Sequence, residues 1–135
     1  MRFSTKGEYG LRLAVNLSQN YPVVTSLKSV AETEKISLKY LERIIAQLKK
    51  KKIVKSSQGK NGGYILARSP QKISAGEIIE AMEGPFVSKC FHTNCKNIKK
   101  CPSSFVWIKL GTQIKKTLYG IKLADLKQNK NDKIS

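Results

Sequence analysis

Three segments with helical apolar spacing, then two β-prone runs around a glycine-rich turn, then one long amphipathic segment predict a mainly α fold with a small β-hairpin wing. The fold class this implies is a winged helix-turn-helix followed by a long C-terminal dimerisation helix. Charge points the same way: 26 Lys and Arg against 9 Asp and Glu leave a formal net charge of +17 at pH 7. An excess of that size favours a polyanionic partner, and nucleic acid is the commonest one. The 135 residues, 40% of them hydrophobic, suffice for one modest core.

The first helix is expected over residues 6–19, where Thr5 and Glu8 read as a capping box and Leu11, Ala14, Val15 and Leu17 keep an apolar stripe. Tyr21-Pro22 ends it. Ser26 caps a short second helix over 27–34, and Ser37 caps a third over 38–51. In the third helix Leu38, Leu41, Ile45 and Leu48 fall on one face, leaving Lys39, Tyr40, Arg43, Gln47 and Lys50 turned outward. The period then changes. Residues 53–57 and 64–67 are short β-prone runs, and Gln58-Gly59-Lys60-Asn61-Gly62-Gly63 between them is the turn of a hairpin.

Ser74 and Glu77 form a second capping box, opening a helix that ends before Gly84-Pro85. Residues 86–102 are irregular and hold every cysteine and the one histidine; a last helix is expected over 103–119. Its Trp107, Leu110, Ile114, Leu118 and Ile121 keep helical spacing, and so strongly apolar a face on a helix with little core of its own predicts a homodimer. The organisation expected is a DNA-binding domain over 1–85, a cysteine-rich loop over 86–102, a dimerisation helix over 103–126 and a basic, fraying tail over 127–135.

Residues 1–72 carry 15 basic and 4 acidic side chains, a net +11, against +6 for residues 73–135, so the first half is where nucleic acid is expected to bind. In a helix-turn-helix the second helix enters the major groove, and its first turns meet base edges. Here those turns hold Ser37, Lys39, Tyr40, Glu42 and Arg43. Lys39 and Arg43 can donate to guanine or to phosphate, Glu42 can accept from cytosine, and Gln47 can reach adenine one turn on. Lys49–Lys52, Lys50 among them, and Lys55 suit phosphates, where point charges suffice. The wing tip, with Gln58, Lys60 and Asn61 among its glycines, suits a narrow minor groove. The plainer alternatives are a solvated lysine face and a Glu42 paired with Lys39 or a neighbour.

Cys90, Cys95 and Cys101 place three thiols within twelve residues. Thiolate is the soft ligand taken by iron–sulfur clusters and by zinc, and an irregular loop lets three converge. Spacing alone leaves an iron–sulfur cluster, zinc and a thiol switch open. A fourth ligand is missing from the run; His92 is one candidate, and a residue from elsewhere or from the partner subunit is another. The N-terminus lacks the apolar stretch of a signal peptide and no apolar run approaches ~18 residues, so a cytoplasmic protein with no membrane partner is expected. No acid/base pair, nucleophile elbow or phosphate loop is present, which argues against an enzyme.

Several stretches carry a resemblance: residues 4–12 (Ser4 to Arg12), 37–42 (Ser37 to Glu42) and 59–64 (Gly59 to Tyr64), Ser74-Ala75-Gly76-Glu77-Ile78-Ile79 with Glu83-Gly84-Pro85, the three cysteines, and Leu123-Ala124-Asp125-Leu126. Over about residues 1–126 the chain resembles the bacterial winged-helix iron–sulfur regulators of the IscR and NsrR type, of which CymR is a cluster-free relative. The resemblance implies a dimer on palindromic promoter DNA whose operator affinity is set by a cluster that responds to oxygen, nitric oxide or iron supply. It matches Cys90, Cys95 and Cys101 to the cluster cysteines.

In the IscR branch a histidine three residues past the last cysteine completes a [2Fe–2S] site, and here that position is Ser104. In the NsrR branch an acidic residue near the start of the first helix of the other subunit ligates a [4Fe–4S] cluster, and Glu8 stands at that place. The resemblance therefore favours [4Fe–4S] over [2Fe–2S], with Glu8 of the partner subunit as fourth ligand and His92 second; capping is the rival role for Glu8. Two departures bear on the operator. Gln58 replaces the arginine many relatives send into the minor groove, and Lys39 stands where serine is frequent.

The function expected is a homodimeric transcriptional regulator, a repressor, sensing through an iron–sulfur cluster. The alternatives are a zinc- or thiol-based regulator on the same fold and, from another class, an electron-transfer or cluster-carrier protein whose charge docks an acidic enzyme.

Overall fold

The computed structural model describes residues 4–85 and 101–127. Its helices are α1 (Thr5–Asn20), α2 (Leu27–Glu34), α3 (Leu38–Lys50), α4 (Ala75–Glu83), α5 (Ser104–Tyr119) and α6 (Leu123–Lys127). Between α3 and α4 lie β1 (Val54–Ser57) and β2 (Gly63–Leu66), followed by a short 3₁₀ turn at Pro70–Lys72. The mainly α fold with a two-stranded hairpin is the one expected, and α1 to α5 and both strands begin and end within one or two residues of expectation. The helix α6 was not expected. Ile121 lies past the end of α5 and not on its apolar face, because it pairs with Ala75. The expected fraying tail lies outside the described residues, beyond Lys127.

The start of α1 departs from the Thr5–Glu8 capping box. Ser4 is the N-cap, and its hydroxyl accepts from the Gly7 N–H at 3.3 Å. Glu83, at the end of α4, holds Ser4 in place: both carboxylate oxygens accept from the Ser4 N–H at 3.2 Å, and Oε1 also accepts from the Ser4 hydroxyl. One acidic side chain thus ties the N-cap of α1 to the last turn of α4, and the Glu8 side chain takes no part in the cap. The second capping box is present as read, with Glu77 N–H to Ser74 Oγ at 3.1 Å and Ser74 N–H to Glu77 Oε2 at 3.0 Å. Burial works to raise the Glu77 carboxyl, but the Arg68 guanidinium at 2.6 Å and the Ser74 N–H outweigh it and hold the group below the ordinary carboxylate range.

The core is assembled from Leu13, Ala14 and Leu17 of α1, Val30 of α2, Leu41, Ile44, Ile45 and Leu48 of α3, Val54 and Leu66 of the hairpin, and Ile78 and Met82 of α4. The buried face of α3 is therefore rotated from the one expected: Ile44 is fully buried, whereas Leu38 is 41% exposed. Spacing permits both stripes, and the difference is that α1 and α4 cover the side of α3 that carries Ile44.

The C-terminal segment returns to this core. Leu123 is fully buried, its N–H donates to Ile73 at 2.9 Å, and Ala75 donates to Ile121 at 2.8 Å, while Ser74 and Lys122 form a β-bridge. A leucine so buried contributes about 1.5–3 kcal/mol to holding α6 against the body. The helix α5 behaves otherwise: only Ser104 and Gly111 are buried along it. Phe105, Val106, Trp107, Ile108 and Leu110 are all exposed, from 38% to 67%. No helix among the described residues is long and apolar enough to cross a membrane.

Candidate nucleic-acid interface and cysteine site

The helix-turn-helix is set by a few local devices. Ser26 caps α2 through the Ser29 N–H at 3.1 Å, and Ser37 caps α3 through the Tyr40 N–H at 3.1 Å. Between the helices Lys35 takes the left-handed conformation at φ 57°, which reverses the chain, and buried Ile36 pins the turn to the core. On the far side, the Glu34 carboxylate bonds Asn16 Nδ2 at 3.0 Å and Arg12 Nε at 3.3 Å, fastening the end of α2 to α1. The angle at which α3 is presented thus depends on one acidic residue just before the turn.

On α3 itself Lys39, Glu42, Arg43 and Lys50 are exposed, as a groove-entering helix requires. Ser37 is exposed as well, with its hydroxyl committed to the cap. Glu42 forms no ion pair among the described residues, so its pairing with Lys39 is not seen. Two side chains expected to point outward do not do so fully. Tyr40 is half-buried with its ring edge-on to Tyr9, centroids 5.5 Å apart, and Gln47 is half-buried. The Tyr9 ring in turn carries the Arg12 guanidinium 5.4 Å above it, which makes an aromatic link between α1 and α3.

A cavity of about 480 Å³ opens beside that link, lined by Lys6, Tyr40, Arg43, Ile44 and Gln47. A second of about 480 Å³ is bounded by the end of α3, by α4 and by Tyr119 of α5, whose hydroxyl is pushed up to about 12 by burial and by the neighbouring Glu80 carboxylate.

The wing is a regular hairpin with Val54 opposite Leu66 and Ser57 opposite Gly63. Its tip holds Gln58, Lys60 and Asn61, all exposed, and Gly59 at φ 118°, a conformation reserved to glycine. The sequence reading missed the attachment of the wing to the helices. Thr25, just before α2, exchanges two hydrogen bonds with Tyr64 of β2, at 2.9 and 2.8 Å, as an isolated bridge. The contact is so close that a side-chain carbon on Gly63 would fall 2.3 Å from the Thr25 carbonyl oxygen. The paired glycines were the only local signal of it.

Of the cysteine site, Cys101 lies within the described residues; Cys90, His92 and Cys95 lie outside them. Cys101 stands at the foot of α5, partly exposed, with its sulfur 3.0 Å from Ser103 Oγ. The Ser103 hydroxyl holds the thiol below its ordinary range, which favours the thiolate. Ser104, at the position of the IscR-branch histidine, donates its hydroxyl to the Cys101 carbonyl at 2.7 Å. Glu8 is exposed on the first turn of α1, and its carboxylate makes no hydrogen bond or ion pair among the described residues. Among those residues no three or more His, Cys, Asp or Glu side chains gather as a metal site.

The family model described as Rrf2, iron-dependent transcriptional regulator, matches residues 3–129. The chain belongs to the Rrf2 family. It is 36% identical to the transcriptional regulator CymR of Bacillus subtilis over 93% of this chain and 89% of that one. It is also 32% identical to IscR of Yersinia pseudotuberculosis over 97% of this chain and 82% of that one. Among solved structures, the chain is similar to CymR, the global cysteine regulator of B. subtilis, with a TM-score of 0.80 and 34% identity over 97% and 99% of the two chains. It is equally similar to T. potens IscR, at 0.80 and 38% identity over 100% and 93%. This Rrf2 chain is thus a DNA-binding transcriptional regulator, not an enzyme, and the electron-carrier alternative falls away.

Proposed function

We propose that this Rrf2 protein is a homodimeric repressor that binds a palindromic operator and senses redox, nitric oxide or iron status through an iron–sulfur cluster. The observation that supports the proposal is a pair of candidate ligands, a partly exposed thiol at the foot of α5 and an exposed carboxylate on the first turn of α1. Cys101 offers a thiol biased toward thiolate, and Glu8 offers an exposed carboxylate freed from the capping role that competed for it. With Cys90 and Cys95 they would make a donor set of three thiolates and one carboxylate, which an iron–sulfur cluster accepts, as does zinc.

Cys90, Cys95 and Cys101 would hold the cluster, with Glu8 of the partner subunit completing the set in the [4Fe–4S] form favoured over [2Fe–2S], and His92 the second candidate. When bound, the cluster supplies a centre that reacts with oxygen or nitric oxide. The chain does the rest. Glu8 sits on the turn of α1 whose Tyr9 packs on Tyr40 of α3, so a pull on Glu8 is transmitted to the helix expected to read the operator. Because both half-sites must be met at once, a small change in the spacing of two such helices has a large effect on affinity. Lys39, Glu42 and Arg43 are the base-reading candidates, with Lys50, Gln58, Lys60 and Asn61 on the backbone and in the minor groove.

The similarity to CymR favours one second reading, a thiol- or zinc-based sensor on the same fold. The variant Cys101→Ala separates the two. We expect it to lose visible absorption and bound iron and to change operator affinity by about 5–150-fold. Glu8→Ala should retain less iron than the wild type under the same anaerobic purification. Full iron content in Cys101→Ala with an unchanged DNA response would reject the cluster reading.

A further inference from the structure

The cavity between the first turn of α1 and α3 is lined by one lysine, one arginine, one glutamine amide, one tyrosine and the apolar Ile44, with no carboxylate among its lining residues. Arg43 is exposed and Lys6 half-exposed, and neither has an ion-pair partner among the described residues. A concave cluster of unpaired donors is a site for an anion with several acceptor oxygens. Its place identifies which anion. The major groove is about 12 Å wide, and a helix with its side chains is about 10–12 Å across, so α3 fills it. Lys6, on α1 beside α3, is therefore placed to meet a phosphate on the groove wall and not a base edge.

We propose that Lys6, with Arg43 and Gln47, clamps a DNA backbone phosphate in this cavity. The inference rests on the DNA-binding reading of α3 and sharpens it in two ways. Arg43 and Gln47 become backbone-positioning residues, which leaves the base readout of α3 to Lys39 and Glu42. And because Lys6 lies two residues before Glu8 on the same turn, the turn that would carry the cluster ligand also carries a DNA contact.

The test is the salt dependence of binding to two duplexes: one selected from a random pool by the wild-type protein, and one of the same composition with its order shuffled. Each lost phosphate contact lowers the slope of log affinity against log salt by about 0.9, so Lys6→Gln should lower it by about 1.8 in a dimer. At 0.1 M salt that amounts to about a 60-fold loss relative to 1 M, equal on both duplexes. Lys6→Arg should keep the wild-type slope, which guards against a folding defect. A slope unchanged in Lys6→Gln, or a loss confined to the selected duplex, would overturn the clamp while leaving the DNA-binding reading intact. Saturable binding of inorganic phosphate to the DNA-free protein, with the slope unchanged in Lys6→Gln, would mark a small-anion site instead and overturn it too. A wild type that selects no duplex would overturn both readings.

Discussion

Placing aspartates at Trp107 and Leu110 together is expected to convert the protein to monomers. Five large apolar side chains, Phe105 to Ile108 and Leu110, stand exposed on consecutive turns of α5, while the buried seam of that helix consists only of Ser104 and Gly111. Gly111 and Ser104 are too small to account for the burial of a 16-residue helix, and the proposed cover for the exposed apolar surface is the same helix of a second copy. Two carboxylates in the middle of that surface would have to be desolvated without partners, which opposes helix–helix association there. Sedimentation should show the mass of one chain for the double variant and of two for the wild type. Operator affinity should fall by about 10²–10⁴-fold, because the second half-site is no longer held at high effective concentration. A double variant that stays dimeric would place the interface elsewhere.

The second large effect is expected at the root of the wing. In Gly63→Val the added carbon would meet three backbone atoms, Thr25 O at 2.3 Å, Thr25 C at 2.6 Å and Ser26 N at 2.9 Å, and none of them belongs to a side chain that can swing away. The strand must lift, which breaks the two Thr25–Tyr64 hydrogen bonds and shifts the capped start of α2. Overpacking of this kind costs about 1–3 kcal/mol and each lost hydrogen bond about 0.5–1.5 kcal/mol. Thermal unfolding should therefore begin roughly 10 °C or more below the wild type. DNA binding should weaken with it, since the wing and the helix-turn-helix no longer share a frame. A Gly63→Val protein with wild-type stability would show that the Thr25 bridge is not part of the folded state.

Much of the fold was legible because its signals are local. The Ser74–Glu77 capping box joins residues three apart, and the caps at Ser26 and Ser37 stand directly before their helices. What was misread depended on distant parts of the chain. Ser4 and Thr5 are adjacent hydroxyls, equally able to cap, and the choice between them is made by Glu83, 79 positions away. Two apolar stripes fit the spacing of α3, and packing against α1 and α4 selects the one with Ile44 over the one with Leu38. Thr25 gave no hint of pairing with β2, because an isolated bridge has no periodicity. Leu123 was visible as part of a motif without a place; the structure puts it in the core beside Ile73.

The candidate site divides in the same way. Residue type and helical phase sufficed to mark Lys39, Glu42, Arg43 and Lys50 as exposed on α3. Lys6 was passed over, because its relation to Arg43 arises only when α1 and α3 pack together. For Glu8 the spacing permits a cap or a ligand, and the Ser4–Glu83 contact removes the first role.

The central claim is that iron bound by the cysteines governs this regulator. The direct measurement is anaerobic purification followed by a visible spectrum and iron, sulfide and zinc assays on the same sample. A brown protein with about four irons and four sulfides per chain is the predicted result. A colourless, iron-free protein, unchanged after attempted cluster reconstitution, would contradict it.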